Sequence, residues 1–123
     1  MTRPTPEPLF DPGPLEELRE VGGPELVQEL TELFLQDTPE LLDALETAAS
    51  AEDWQALGAA AHTLRSTAFY LGALALSELA RRIELAVAAG DPTEGAAIAT
   101  RPREAFAEVT VALRTACAEL SSG

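Results

Sequence analysis

His62 is the only histidine in the chain, and it lies in the stretch Ala61-His62-Thr63-Leu64-Arg65-Ser66-Thr67-Ala68-Phe69-Tyr70-Leu71-Gly72. A neutral imidazole offers a nitrogen lone pair, so such a residue can serve as a nucleophile, a base or a metal ligand. Trp54, Leu57, Ala61, Leu64, Ala68 and Leu71 recur at steps of three and four, the spacing of one helical face turned toward a core. His62 falls off that stripe. With successive residues turned by about 100°, its neighbours on the helix surface are Gln55, Gly58, Ala59, Arg65, Ser66 and Phe69, mostly small or polar. The ring is therefore expected at an open spot that water and another protein can reach. Arg65, one turn on, can neutralise an anion placed on the ring. Residues of these types at this spacing suit a carrier of phosphoryl groups.

Other chemistry fits less well. A metal or haem site lacks a second histidine, and Cys117 belongs to another helical segment at a core-like position. No serine or cysteine is paired with His62 by spacing, as a catalytic nucleophile would be with its base. A lone histidine on a helix is in general an ordinary surface or core residue, and Phe69 beside it suits bundle packing as well as contact with a partner. Acidic runs such as Glu16-Glu17 and those between Glu40 and Glu46 read as solvated helix faces.

The elements that must position this stretch are all helical. Residues 1–13 form a proline-rich arm with Pro4, Pro6, Pro8 and Pro12, in which Leu9 and Phe10 either cover one end of the core or belong to a loose tail. A short helix is expected from Pro14, with Leu15, Leu18 and Val21 on one side and Gly22-Gly23 at its end. From Pro24 to about Ala51, Leu26, Leu30, Leu33, Phe34, Leu41, Leu45 and Ala48 keep helical spacing across Thr38-Pro39. There the missing amide predicts a bend or a short break, a bend being favoured. Asp53 caps the histidine helix, which runs to about Tyr70 and stops at Gly72.

A further helix spans about 73–89, with Leu76, Leu79, Ile83, Ala86 and Val87 inward and Gly90-Asp91-Pro92 closing it. Its Arg81 and Arg82 are either solvated charges or neighbours of the site. The last segment, from Thr93 to about Leu120, is interrupted at Pro102 and turns Phe106, Val109, Leu113, Ala116 and Leu120 inward. Nothing alternates at a period of two, so no strand is expected. Short connections between four long amphipathic segments predict an all-α, up-and-down antiparallel four-helix bundle over residues 14–121.

Composition narrows the partners. The 123 residues fit one domain with one core. Eight basic against twenty-one acidic residues give a formal charge of −13, which repels nucleic acid and anionic membrane surfaces and favours basic or apolar partners. One cysteine cannot form an internal disulfide, and no apolar run approaches the ~18 residues of a membrane span. Met1-Thr2-Arg3-Pro4 lacks the apolar core of a signal peptide, which places the chain in the cytoplasm. Met1 and a closed bundle are expected of a free-standing chain.

The stretch 61–72 resembles the signature of histidine-containing phosphotransfer (HPt) domains of bacterial phosphorelays, usually His-x-Leu-Lys-Gly followed by small residues and a later Leu-Gly. His62, Leu64, Leu71 and Gly72 match it. Arg65 stands in place of the usual lysine, keeping the charge on a planar fork. Ser66 stands in place of the glycine that lets a partner's surface come close, so transfer is expected to be tuned and not abolished. Glu84 in Arg-Arg-Ile-Glu resembles the family's Leu-Glu pair, and the order of helical segments from about Leu15 to Leu120 is similar throughout. The resemblance also makes the first short helix a cap on the bundle.

What the resemblance implies is a relay. His62, through Nε2, would accept a phosphoryl group from an aspartate of a response-regulator receiver domain or a hybrid histidine kinase, and a second receiver aspartate would take it on. Arg65 would steady the phosphate, and Gln55, Gly58, Ala59, Ser66 and Phe69 would form the docking face. The Mg²⁺ would sit on the receiver, so this chain needs no cofactor or metal of its own. It would be a monomeric carrier and not an independent enzyme, in keeping with the lack of a glycine-rich phosphate loop. The alternative, to which Ser66 lends most, is a helical module that docks on a receiver or kinase and regulates it without carrying phosphate.

Overall fold

The computed structural model describes residues 8–121. Over these residues the order is α1 Gly13–Ser50, α2 Trp54–Tyr70, α3 Leu74–Ala88, α4 Pro92–Ala97 and α5 Arg101–Ser121, with no strand. α2 packs between α1 and α3, and α5 closes against both α1 and α3, so the four long helices ring one core. The short α4 rests mainly on α3.

α1 is two helices in one span. Gly23, at φ 77° and ψ −178°, leaves helical geometry and sets residues 13–22, the expected short N-terminal helix, apart from the long segment after it. Pro39 lies inside that long segment, and the backbone keeps helical angles through it, without the break that a missing amide can cause. Two expected inward positions are corrected. Val21 is 82% exposed, since six residues carry it about 240° round from buried Leu15. Leu33 is 46% exposed, because the inward line of α1 runs through two threonines: Val27, Thr31, Phe34, Thr38, Leu42, Leu45 and Ala48. Leu26, Leu30 and Leu41 are half-buried at its edges.

In α2 the buried residues are Leu57, Ala60, Ala61, Leu64 and Ala68, and Asp53 caps the helix, its Oδ1 accepting from the Ala56 N–H at 3.2 Å. Gly72, at φ 81°, ends it. The end of the proline-rich arm docks on this corner. The Asp11 N–H donates to the Gly72 carbonyl at 2.8 Å, the Ala75 N–H donates to the Leu9 carbonyl at 3.3 Å, and Leu9 and Phe10 pack against the core. A Cβ on Gly72 would run into the Asp11 carbonyl oxygen, so glycine is needed here for space as well as for its backbone angle. Residues 1–7 of the arm lie outside the described residues.

α3 buries Leu76, Ser77, Ala80 and Ile83, and Gly90 at φ 81° follows it. The last segment differs from expectation in where it breaks. Ile98, Ala99 and Thr100 separate α4 from α5, and Pro102 lies in the first turn of α5, where no amide donor is required. Along α5, Val109, Leu113 and Ala116 are buried, and Phe106 meets Phe34 of α1 edge-on with ring centroids 5.9 Å apart. Arg103 ties the start of α5 to α1, donating to Glu46 from Nε at 2.9 Å and to Asp43 from Nη2 at 2.6 Å.

Two outcomes follow. Gly72→Ala strains a left-handed angle and displaces the arm, and is expected to lower the unfolding free energy in urea by about 1–3 kcal/mol. Arg103 donates hydrogen bonds that hold the Glu46 carboxyl below its usual range. A lowered carboxyl binds fewer protons folded than unfolded, so its contribution is present above the ordinary glutamate range and lost as pH falls through it. The pair is exposed and worth under about 1 kcal/mol; Arg103→Ala is expected to remove that much at neutral pH and to flatten the acid-side loss of stability, read from urea unfolding at stepped pH.

Candidate functional site

The site is made by α2 and α3 together. His62 and Arg65 stand one turn apart on α2, and Glu84 of α3 reaches both. His62 Nδ1 lies 2.6 Å from Glu84 Oε2, and Arg65 Nε lies 3.1 Å from Glu84 Oε1. A carboxylate can only accept, so Nδ1 carries the proton it donates, and in the neutral ring the lone pair is left on Nε2. Arg65 Nη2 is also 3.3 Å from Nδ1. Two donors cannot share a hydrogen bond, so that approach is proximity, and the shorter contact with the carboxylate decides the tautomer.

The His62 side chain is 58% exposed whereas Glu84 is 24% exposed, so the carboxylate forms the floor and the imidazole stands up from it. Nε2 has no hydrogen-bond partner among the described residues. Ser66, one turn beyond, donates its hydroxyl proton to the His62 carbonyl at 3.1 Å. Ser77 of α3, itself buried, donates to the Arg65 carbonyl at 3.0 Å and pins α3 to α2 beneath the site. Glu84 and Ser77 are the contributors that helical spacing within α2 could not locate. The only sequence signal for Glu84 was its place in Arg-Arg-Ile-Glu.

Of the expected docking residues, Gln55, Ala59 and Ser66 are exposed, and Phe69 is 67% exposed instead of packed in the bundle. Gly58 is half-buried and turned toward α3, where an added Cβ would stand 3.3 Å from Val87 Cγ1. Arg81 does neighbour the site, lining a groove with Arg65, Ser66 and Phe69. It donates to Glu78 from Nε at 2.9 Å and from Nη2 at 3.1 Å, which holds the Glu78 carboxyl below its usual range. Among the described residues no three His, Cys, Asp or Glu side chains converge as a metal site would require, and no helix is long and apolar enough to cross a membrane.

The site is thus an exposed imidazole held by a half-buried carboxylate on the flank of a four-helix bundle. The model of the Hpt domain family matches residues 29–123. The chain belongs to this family, whose members carry phosphoryl groups in phosphorelay signalling and are phosphocarriers rather than kinases. It is similar to the crystal structure of histidine-containing phosphotransfer protein B (HptB) from Pseudomonas aeruginosa PAO1, at 27% identity and a TM-score of 0.81, over 91% of this chain and 96% of that one. No curated protein matches the chain.

The geometry predicts one tautomer. In wild type, the nitrogen chemical shifts of the neutral His62 ring are expected to report a protonated Nδ1 and a bare Nε2. Glu84→Ala is expected to mix the two tautomers and to slow phosphoryl acceptance on the order of tenfold, as loss of an orienting partner does elsewhere.

Proposed function

We propose that His62 is the phosphoacceptor and that Nε2 is the reacting atom. The observation that carries this reading is the Glu84 bridge, which holds Nδ1 at 2.6 Å and leaves the other nitrogen toward solvent. The Nε2 lone pair attacks the phosphorus of an aspartyl phosphate on a receiver domain, the acyl oxygen–phosphorus bond breaks, and the aspartate leaves as carboxylate. Because Nδ1 keeps its proton, the ring becomes cationic as the new bond forms, and that charge develops against the Glu84 carboxylate. Passage to a second receiver reverses these steps and returns a neutral ring.

Arg65 supports the phosphate. Its guanidinium is held at the ring edge by Glu84 and retains further N–H donors for the phosphoryl oxygens. Transfer of this kind needs mainly positioning and charge neutralisation, and the receiver contributes the Mg²⁺ that offsets the charge on the moving group. The chain acts as a monomeric cytoplasmic carrier without a nucleotide site, docking through the exposed face of Gln55, Ala59, Ser66 and Phe69 around His62, with Gly58 keeping α3 close. Its partners are receiver domains and hybrid histidine kinases. Residues 1–13 are an appended arm and 14–121 the carrier domain.

Incubation with a phosphorylated receiver domain and Mg²⁺ is expected to place an acid-labile, base-stable phosphate on wild type and none on His62→Gln, followed by intact mass. A labelled His62→Gln would move the acceptor elsewhere. No label from several receivers or from phosphoramidate would leave a phosphate-independent docking module.

A further inference from the structure

Leu33, outside the core, and half-buried Leu41 line one side of a groove on α1. Leu33 and Leu41 face Tyr70 of α2 across a groove of about 330 Å³ between the two helices, with Asp37, Ser66 and Thr67 on its lips. Leu33 is 46% and Tyr70 59% exposed, so apolar area lies open to water beside the helix that carries His62. The polar groups on the lips share one character. Asp37 makes no ion pair or hydrogen bond with any described residue, and its carboxylate can only accept. Ser66 has given its proton to the His62 carbonyl at 3.1 Å. Thr67 has given its own to the Thr63 and Leu64 carbonyls, at 3.1 and 3.2 Å. Each hydroxyl is left with acceptor capacity only. No basic residue lines this groove.

An apolar trough edged with unspent acceptors and one free carboxylate fits a side chain with an aliphatic stem and a cationic, donor-rich head. We propose that the α1–α2 groove receives an arginine or lysine of the receiver domain, its stem on Leu33, Leu41 and Tyr70 and its head at Asp37 and Ser66. The occupant follows from charge complementarity, since the chain carries a formal charge of −13 and this groove offers no cation to meet an acidic partner. The groove on the other side of α2 does not ask for such a guest, because Arg81 is already paired with Glu78 and Arg65 with Glu84. Ser66 lines both grooves. In that position a serine does what a glycine cannot, offering an oxygen to a donor on the partner one turn from the phosphorylated ring.

This inference rests on the reading of His62 as a receiver's phosphotransfer partner. The test takes a receiver domain that exchanges phosphate with this chain and measures its dissociation constant by titration, alongside labelling by phosphoramidate, which needs no receiver. Asp37→Lys is expected to weaken receiver binding about tenfold or more, and Ser66→Ala about threefold. Exchange of one receiver Arg or Lys for Glu is expected to restore binding to Asp37→Lys while weakening binding to wild type. The loss in Asp37→Asn is expected to shrink as salt is raised. Unchanged affinity in Asp37→Lys, or a loss that no charge reversal on the receiver repairs, overturns the groove assignment and leaves the His62 reading in place. Absence of label on His62 from every donor overturns the reading beneath it.

Discussion

The hydrogen bond from His62 to Glu84 spans two helices, and so it depends on the register of α2 against α3. That register has a small number of causes. The chain turns from α2 to α3 in three residues, with Gly72 in a left-handed conformation that a residue bearing a Cβ would enter only under strain. Further along, Gly58 lets Val87 come close, so the two helices meet at a small residue a turn below His62. Ser77 fixes the upper part by donating to the Arg65 carbonyl. A shift of one residue along α3 would carry Glu84 about 100° round its helix and leave the imidazole unheld. The arm contributes too, because its backbone is hydrogen-bonded to the same corner.

What could be read in the sequence divides along physical lines. The histidine helix was legible almost residue by residue, since its inward face is purely apolar and its start and stop are marked by Asp53 and Gly72. α1 was legible as a helix but not in its rotation. Thr31 and Thr38 occupy core positions with 2% and 1% exposure, and a reading that counts only apolar residues skips them and recruits Leu33 instead. Thr31 Oγ1 finds no partner among the described residues, so its burial runs against the rule that sets polar residues outside. At Pro102 the error had another source. A missing amide suggests an interruption at Pro102, whereas proline is tolerated in a first turn and the chain turns before it, at residues 98–100.

The flank of α1 connects fold to function. A core stripe through the threonines leaves Leu33 and Leu41 on the flank of α1, next to the helix that carries His62. Leu41 still packs partly against the core, whereas Leu33 exposes apolar area that a partner can cover. Phe69 exposes apolar area on the opposite flank of α2, where spacing alone favours half-buried packing in the bundle. Spacing says which residues share a face of one helix; which faces of neighbouring helices form one surface is settled by their packing.

Charge gives Arg65 a part beside Glu84 in the transfer proposed for His62. Alone, a carboxylate 2.6 Å from the ring would orient it well but would repel the dianionic group arriving at the other nitrogen. Arg65, 3.1 Å from the second oxygen of that carboxylate, cancels its formal charge without displacing it from Nδ1. In the proposed transfer the incoming phosphoryl group then meets a pair whose charges sum to zero. In that proposed transfer the ring becomes cationic during attack and the carboxylate gains a second positive neighbour; when the group leaves, the ring loses its charge. On that reading the carboxylate favours the cationic ring, while the guanidinium beside it keeps the pair from presenting a net negative charge to the arriving group.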